Sequence, residues 1–287
     1  MSTQLGGMNK IAEVIRDHYD LGEVQTPQQL EAAHQRRVHP QLAGVLPKTF
    51  NLFTGTLLKE LLKKISEIPA TLDFDAFGRI YEYFLGEFAM SEGQGGGEFY
   101  TPASIVQLLA QVIEPFHGRI LDPACGTGGF LACAIDHKRE QYRKTEKDEQ
   151  VLVESIRGVE KKALPHMLAV TNMILHGIDT PTQIEHDNML SRRAYTDYGE
   201  ADRVNVIITN PPFGGMEEDG VENQFPATLR TRETADLFLV LLMKIIKPGG
   251  RAGLVLPDGT LFGEGVKTRI KEALLTECNL HTIVRLP

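Results

Sequence analysis

"ILDPACGTGGFL", residues 120–131, runs from a short apolar segment through a carboxylate and three glycines into a second apolar segment. An apolar run of strand length that ends in Asp122 and passes through Gly126, Gly128 and Gly129 predicts a buried strand, a ligand-facing turn and a helix. Glycine at such a turn lets a ligand lie against the backbone. A dinucleotide enzyme would carry GxGxxG, with phosphate on the helix N-terminus. Here the spacing is GxGG, and Asp122 stands before it. A carboxylate repels a pyrophosphate and attracts an ammonium or a sulfonium. The stretch therefore favours S-adenosylmethionine over a nicotinamide dinucleotide.

Strand and helix patterns alternate on the C-terminal side. "IRGVEK" (156–161), "TQIEHDN" (182–188), "VNVIITN" (204–210), "RAGLVLPDG" (251–259) and "HTIVRLP" (281–287) read as the second to sixth strands. Helical spacing fills "PASIVQLLAQVI" (102–113), "FLACAIDHKREQYR" (130–143), "KALPHMLAVTNMILHG" (162–177) and "GVKTRIKEALLTEC" (265–278). Pro165 falls in the first turn of its helix, and "TADLFLVLLMKIIKPGG" (234–250) reads as a helix closed by Pro-Gly-Gly. The charged stretch "RKTEKDEQ" (143–150) reads as a solvated surface segment. Alternation of this kind argues for an α/β fold with a mostly parallel sheet covered on both faces. Two further strand ends carry acids: Glu160, suited to a ribose diol, and Asp187, suited to an adenine amine or to the pocket wall. The chain stops at Pro287 directly after a strand pattern, which reads as an end inside the domain, with the sheet truncated at its C-terminal side.

Upstream, residues 1–90 show helical spacing in "NKIAEVIRDHYDLG" (9–22), "FTGTLLKELLKKISEI" (53–68) and the aromatic "FDAFGRIYEYFLGEFA" (74–89). "MSEGQGGGEFYTP" (90–102) follows, with four glycines around Gln94. It reads as a flexible connector and sets the boundary between a small helical domain (1–90) and the α/β domain (91–287).

The 287 residues are 42% hydrophobic and 24% charged, ordinary values for a soluble globular chain. No apolar run approaches the roughly 18–20 residues that span a bilayer. The N-terminus lacks the basic and apolar regions of a signal peptide, and the three cysteines form no CxxC pair. A cytoplasmic protein without a structural metal is expected. The net charge of −8 is awkward for a protein that grips nucleic acid by itself.

"DPACGTGGF" (122–130) with "NPPF" (210–213) downstream resembles the amino-group methyltransferases that act on DNA adenine. With "GEFYTP" (97–102) ahead of both, and a helical N-terminal region, the chain is similar to the methylation subunit of type I restriction–modification systems. The resemblance covers residues 90–287 strongly and 1–90 loosely, with all three motifs in the family's order. It implies a Rossmann-like, S-adenosylmethionine-dependent methyltransferase fold. Carried over by position, Glu98, Phe99, Tyr100, Thr101 and Pro102 would hold the methionine end of the cofactor. Asp122, Pro123, Ala124, Cys125, Gly126, Thr127 and Gly128 would line its backbone and amino group. Glu160 would take the ribose, and Asp187 with Asn188 the adenine moiety. The family's partners are a specificity subunit that reads double-stranded DNA, a second methylation subunit and a restriction subunit, which would account for the acidic balance.

The strand at 204–209 stops because Pro211 and Pro212 cannot donate to a ladder. Asn210 and Phe213 need a different account. The exocyclic amine of adenine is a poor nucleophile, since its lone pair is delocalised into the ring. The Asn210 side-chain oxygen and the Pro211 carbonyl could accept its two hydrogens, while the prolines fix both oxygens. Phe213 offers a face for an extruded base. Residues 214–233 are long for a loop and are expected to be mobile and to close near the substrate, with Arg230 and Arg232 as phosphate contacts. A methyltransferase for a protein glutamine or an RNA base would use a similar turn. A non-catalytic cofactor-binding scaffold and a nicotinamide oxidoreductase are the other readings.

Overall fold

The computed structural model describes residues 54–66, 81, 83, 85–86, 100–114, 118–142, 145–178 and 181–286. The helical readings over 9–22 and most of 74–89, and the connector with Glu98 and Phe99, lie outside these residues. Gly55–Ser66 (α1) is helical, as its spacing predicts.

The α/β architecture read from the alternating patterns is present. Strands Ile120–Asp122 (β1), Ile156–Glu160 (β2), Ile184–His186 (β3), Val204–Thr209 (β4) and Ile246–Leu254 (β5) form one sheet in the order β3-β2-β1-β4-β5. Every pairing is parallel. Ile120 lies opposite Ile156 on one side and Val206 on the other, so β1 is central. Buried parallel strands are apolar on both faces, and β1 is buried along its whole length.

The pleat sends alternate residues to two cores. Ile120 and Ile208 pack with Ala103–Ile113 (α2), Gly129–Tyr142 (α3), Leu152 of Glu146–Ser155 (α4) and Ala163–Leu175 (α5). Leu121 and Ile207 pack against Thr234–Ile245 (α6) and Ile270 of Val266–Glu277 (α8). Helix α6 is buried continuously from Thr234 to Leu242, as expected of a helix apolar on all sides. A five-residue helix, Asp258–Phe262 (α7), follows β5.

Three expectations need correction, while the charged stretch, read as a solvated surface segment, is exposed or half-buried over 145–150 as expected and opens helix α4. Thr145 and Asp148 form a reciprocal capping box, and Glu146, Asp148 and Glu149 suit the positive end of the helix dipole. Pro248-Gly249-Gly250 does not close α6, which ends at Ile245. It forms an excursion at the start of β5, where Val204 pairs with Ile246 but Val206 already pairs with Arg251.

Residues 281–286 form no strand, and Ile283 and Val284 are exposed. β-branched residues favour a strand only where a neighbour supplies a ladder, and none pairs here among the described residues. Lastly, 214–233 is tied down rather than loose. Val221 and Phe225 enter the second core, and an antiparallel bridge joins Met216 to Glu233. Arg230 donates to the Phe225 and Asn223 carbonyls, and Arg232 to the Glu217 carbonyl, so both serve the segment itself.

Helix α2 lies so close to β5 that a Cβ on Gly253 would sit 1.8 Å from Ile113 Cδ1 and 3.0 Å from Leu109 Cδ2. Gly253→Ala should destabilise the protein by about 1–3 kcal/mol in urea unfolding. Gly259→Ala, with nothing within 4 Å, should cost far less. Equal stability of the two variants would contradict this packing.

Candidate active site

The strand order reverses between β1 and β4, and open α/β sheets hold ligands in the crevice at the carboxyl ends of such strands. The chain leaves β4 at Asn210 because Pro211 cannot extend the ladder. A cleft opens there, lined by Thr101, Ala124, Cys125, Gly126, Thr127, Gly129, Phe130 and Asn210. Residues from all three sequence motifs therefore meet at one place.

The Asn210 amide is oriented by a distant partner. Its Nδ2 donates to Thr101 Oγ1 at 3.1 Å. Thr101 stands directly before Pro102, the N-cap of α2. The Asn210 Oδ1 is buried and has no protein partner. Buried polar atoms are normally satisfied, so a lone acceptor at a cleft is a feature to explain.

The glycine turn is held by bonds that the sequence did not announce. Gly126 and Gly128 take left-handed φ values of 53° and 80°, which favour glycine. The Gly128 N–H donates to the Cys125 carbonyl at 2.7 Å, and the Cys125 N–H to the Val159 carbonyl at 3.0 Å. The Glu160 carboxylate accepts the Gly126 N–H at 2.9 Å and the Lys162 N–H at 2.7 Å. Each Glu160 oxygen thus braces backbone, leaving its remaining lone pairs for any ligand. Burial pushes the Glu160 carboxyl above its ordinary range, against the pull of those two N–H groups. Asn172, a buried amide on the apolar face of α5, donates to the Thr127 carbonyl at 3.0 Å. Sequence reasoning missed it; a lone amide within "AVTNMIL" was the available signal.

Asp122 lies beneath the turn, fully buried, with Oδ1 accepting the Ala124 N–H at 3.2 Å and Oδ2 unpartnered. Burial raises its carboxyl to about 7, with the neighbouring Glu160 charge adding to the rise. The Thr209 hydroxyl and the Ala124 N–H pull the other way, although Thr209 does not complete a hydrogen bond. Pro123 is buried beside it, and Tyr100 is half-buried next to Thr101.

The other expected residues stand outside the cleft lining. Asp187 is exposed, accepts the Asn188 N–H at 2.8 Å and pairs with Arg192 Nε at 3.2 Å. The Asn188 side chain accepts the Leu190 N–H and donates to Glu217 Oε2. Pro211 is buried, Pro212 half-buried, and Phe213 is 44% exposed.

The fold is shared with a Listeria monocytogenes protein assigned as a class I S-adenosylmethionine-dependent methyltransferase, at a TM-score of 0.58 and 19% identity. Comparison with known proteins narrows the class. The family model of the N-6 DNA methylase matches residues 72–287, and the chain belongs to that family. It is 54% identical over 236 residues to the EcoEI type I restriction enzyme methylase subunit of Escherichia coli, covering 81% of this chain and 47% of that protein. The MjaIX methylase subunit of Methanocaldococcus jannaschii is 30% identical over 245 residues, 79% of this chain and 41% of that one. A crystal structure of a modification subunit assigned to a type I restriction enzyme of Vibrio vulnificus superimposes with a TM-score of 0.70 and 42% identity. That match covers 80% of this chain and 50% of the other. The chain spans about half the length of the curated relatives it matches.

Glu160→Ala would leave the buried Gly126 N–H and the Lys162 N–H without their acceptors. A loss of about 1–3 kcal/mol in urea unfolding is expected, with the Gly126 amide resonance shifted in a nitrogen–proton correlation spectrum. An unmoved Gly126 resonance would contradict the brace.

Proposed function

We propose that this chain carries the methyl-transferring unit of a site-specific DNA adenine N6-methyltransferase, the methylation subunit of a type I restriction–modification complex. The observation that carries this reading is the Asn210 amide, held through its nitrogen by Thr101 with its oxygen buried and unpartnered at the glycine-lined cleft. Family membership supports the DNA substrate over a protein glutamine, an RNA base or nicotinamide chemistry. A presented amide oxygen weighs against a purely scaffolding role.

The donor set suits S-adenosylmethionine. The turn offers backbone for close approach, and Asp122 supplies a buried carboxylate with a free oxygen, a group that favours a cation. When bound, the cofactor supplies an electrophilic methyl group on a sulfonium. In this reading Thr101, with Glu98, Phe99, Tyr100 and Pro102, takes the methionine end; Glu160 takes the ribose, and Asp187 with Asn188 the adenine moiety. Asn210 Oδ1 and the Pro211 carbonyl hold the two hydrogens of the target N6, which localises the nitrogen lone pair. Phe213 gives a face for the extruded base, stacking worth about 1–3 kcal/mol. Much of the rate comes from holding two reactants in line.

Residues 1–90 would form the helical unit and 91–287 the methyltransferase unit. Sequence reading would belong to a specificity subunit on double-stranded DNA, with a second methylation subunit closing the clamp and a restriction subunit adding cleavage. A chain of net charge −8 then need not grip DNA alone. Among the described residues no helix is long and apolar enough to cross a membrane.

Calorimetry tests the cofactor: S-adenosylmethionine should bind, NAD should not, and Asp122→Ala should abolish binding. The pH dependence follows from Asp122. Its carboxyl, raised to about 7 in the folded chain, binds a proton more tightly than in the unfolded chain. Stability from this group therefore falls as pH rises from about 4 to about 7. A cationic ligand favours the ionised form, so affinity should rise between about pH 6 and 8 with proton release, and Asp122→Asn should flatten that rise. Binding that weakens with rising pH would contradict the assignment. Thr101→Val frees the Asn210 amide and should lower kcat by about 10- to 100-fold, as loss of an orienting partner does elsewhere, with Thr101→Ser restoring most of the rate. An unchanged kcat would count against the amide's role.

A further inference from the structure

The acidic stretch after Phe213 contains a carboxylate withdrawn from water. Glu217 is 7% exposed, while the neighbouring Glu218 and Asp219 side chains are 79% and 88% exposed. A carboxylate is buried only where donors replace its water. Glu217 collects them from three elements. Lys161 Nζ and Asn188 Nδ2 each lie 3.1 Å from Oε2, and the Thr234 hydroxyl, whose one hydrogen is shared with the nearer Gly215 carbonyl, lies 3.4 Å from Oε1.

Those partners are telling by position. Lys161 follows Glu160, the acid that braces the glycine turn at the end of β2. Asn188 follows Asp187, just beyond β3. Thr234 opens α6 and donates through both its N–H and its hydroxyl to the Gly215 carbonyl, two residues beyond Phe213. Lys161 also pairs with Glu218 at 3.3 Å, and Arg232 with Asp219, so the charges facing the cluster are these two cations and three acids. Glu217 is therefore the joint between the ends of β2 and β3 and the segment that carries Phe213.

We propose that Glu217 is a positioning residue: it locks the target-base segment onto the strand ends that face the cofactor's adenosine, so that cofactor binding sets the pose of Phe213. The inference rests on the proposed function, since it assumes a cofactor at β2 and β3. Coupling of this kind needs a contact that differs between the bound and free states; in this proposal Asn188, which donates to Glu217 and is assigned to the adenine moiety, provides it.

The chain holds no tryptophan, so Met216→Trp places a single fluorophore beside Glu217 at a side chain that is 71% exposed. S-adenosylhomocysteine is titrated into the full Met216→Trp chain, with binding followed in parallel by calorimetry. The expected result is an emission shift that saturates with the calorimetric Kd. Adding Glu217→Gln or, separately, Lys161→Met, which removes a donor to Glu217 from a residue with no assigned cofactor contact, should remove the shift while leaving calorimetric binding detectable; the second variant serves if the first does not fold. A shift that persists in a folded variant overturns the proposal. Binding without any shift in the parent overturns the coupling alone. Absence of binding to a folded parent overturns the cofactor reading and this inference with it.

Discussion

The parallel pairing of β1 with β4 is the constraint on which the site depends. It brings the end of an acid-tipped strand beside the end of a proline-stopped strand, at the one point where the sheet order reverses. Asp122 and Asn210 are 88 positions apart by number, yet the sheet delivers both to one edge. Helix α2 then completes the arrangement. Its C-terminal half packs over Gly253, and the residue ahead of its N-cap, Thr101, reaches the Asn210 amide. A side-chain amide can present either end; the hydrogen bond from its nitrogen to Thr101 fixes the orientation and leaves its buried oxygen without a protein partner.

The site shows a division between residues that face the cleft and residues that hold those that do. Glu160 and Asn172 grip the glycine turn from behind, through Gly126 and Thr127. Asp122 is sealed beneath the same turn. Such buried polar groups act strongly because little solvent screens them, and each is costly if left unpaired. Asp122 Oδ2 and Asn210 Oδ1 are buried and unpartnered, as are Asn172 Oδ1 and the Thr209 hydroxyl beside them. In the proposed function the first two serve a cationic cofactor and a target amine.

Much of this was legible before any coordinates. The β-branched run at 204–209 and the acid-ended run at 120–122 gave their strands, because local apolar pattern and turn chemistry agree there. The meeting of the three motifs was foreseen from resemblance, and the cleft holds Thr101, the 124–127 turn and Asn210 together. What could not be read depends on contacts distant in sequence. Nothing near Thr101 announces a bond to Asn210, and nothing near Glu160 announces Gly126. Arg230 and Arg232 looked free for phosphate because charge alone was visible; their carbonyl partners come from the folded segment. The strand expected at 281–287 is not formed over 281–286 for the opposite reason, since propensity is present and, among the described residues, a ladder partner is not. Helix α4 was missed although its capping box, Thr145 with Asp148, was written in the sequence.

The account stands or falls on the chemistry at Asn210. The most direct measurement is mass spectrometry of nucleosides from DNA incubated with S-adenosylmethionine, this chain in its full-length protein and the matching specificity subunit. The predicted product is N6-methyladenine, absent when Asn210 is replaced by alanine in a variant that still binds the cofactor. Methylation of cytosine, or N6-methyladenine formed undiminished by that variant, would contradict it.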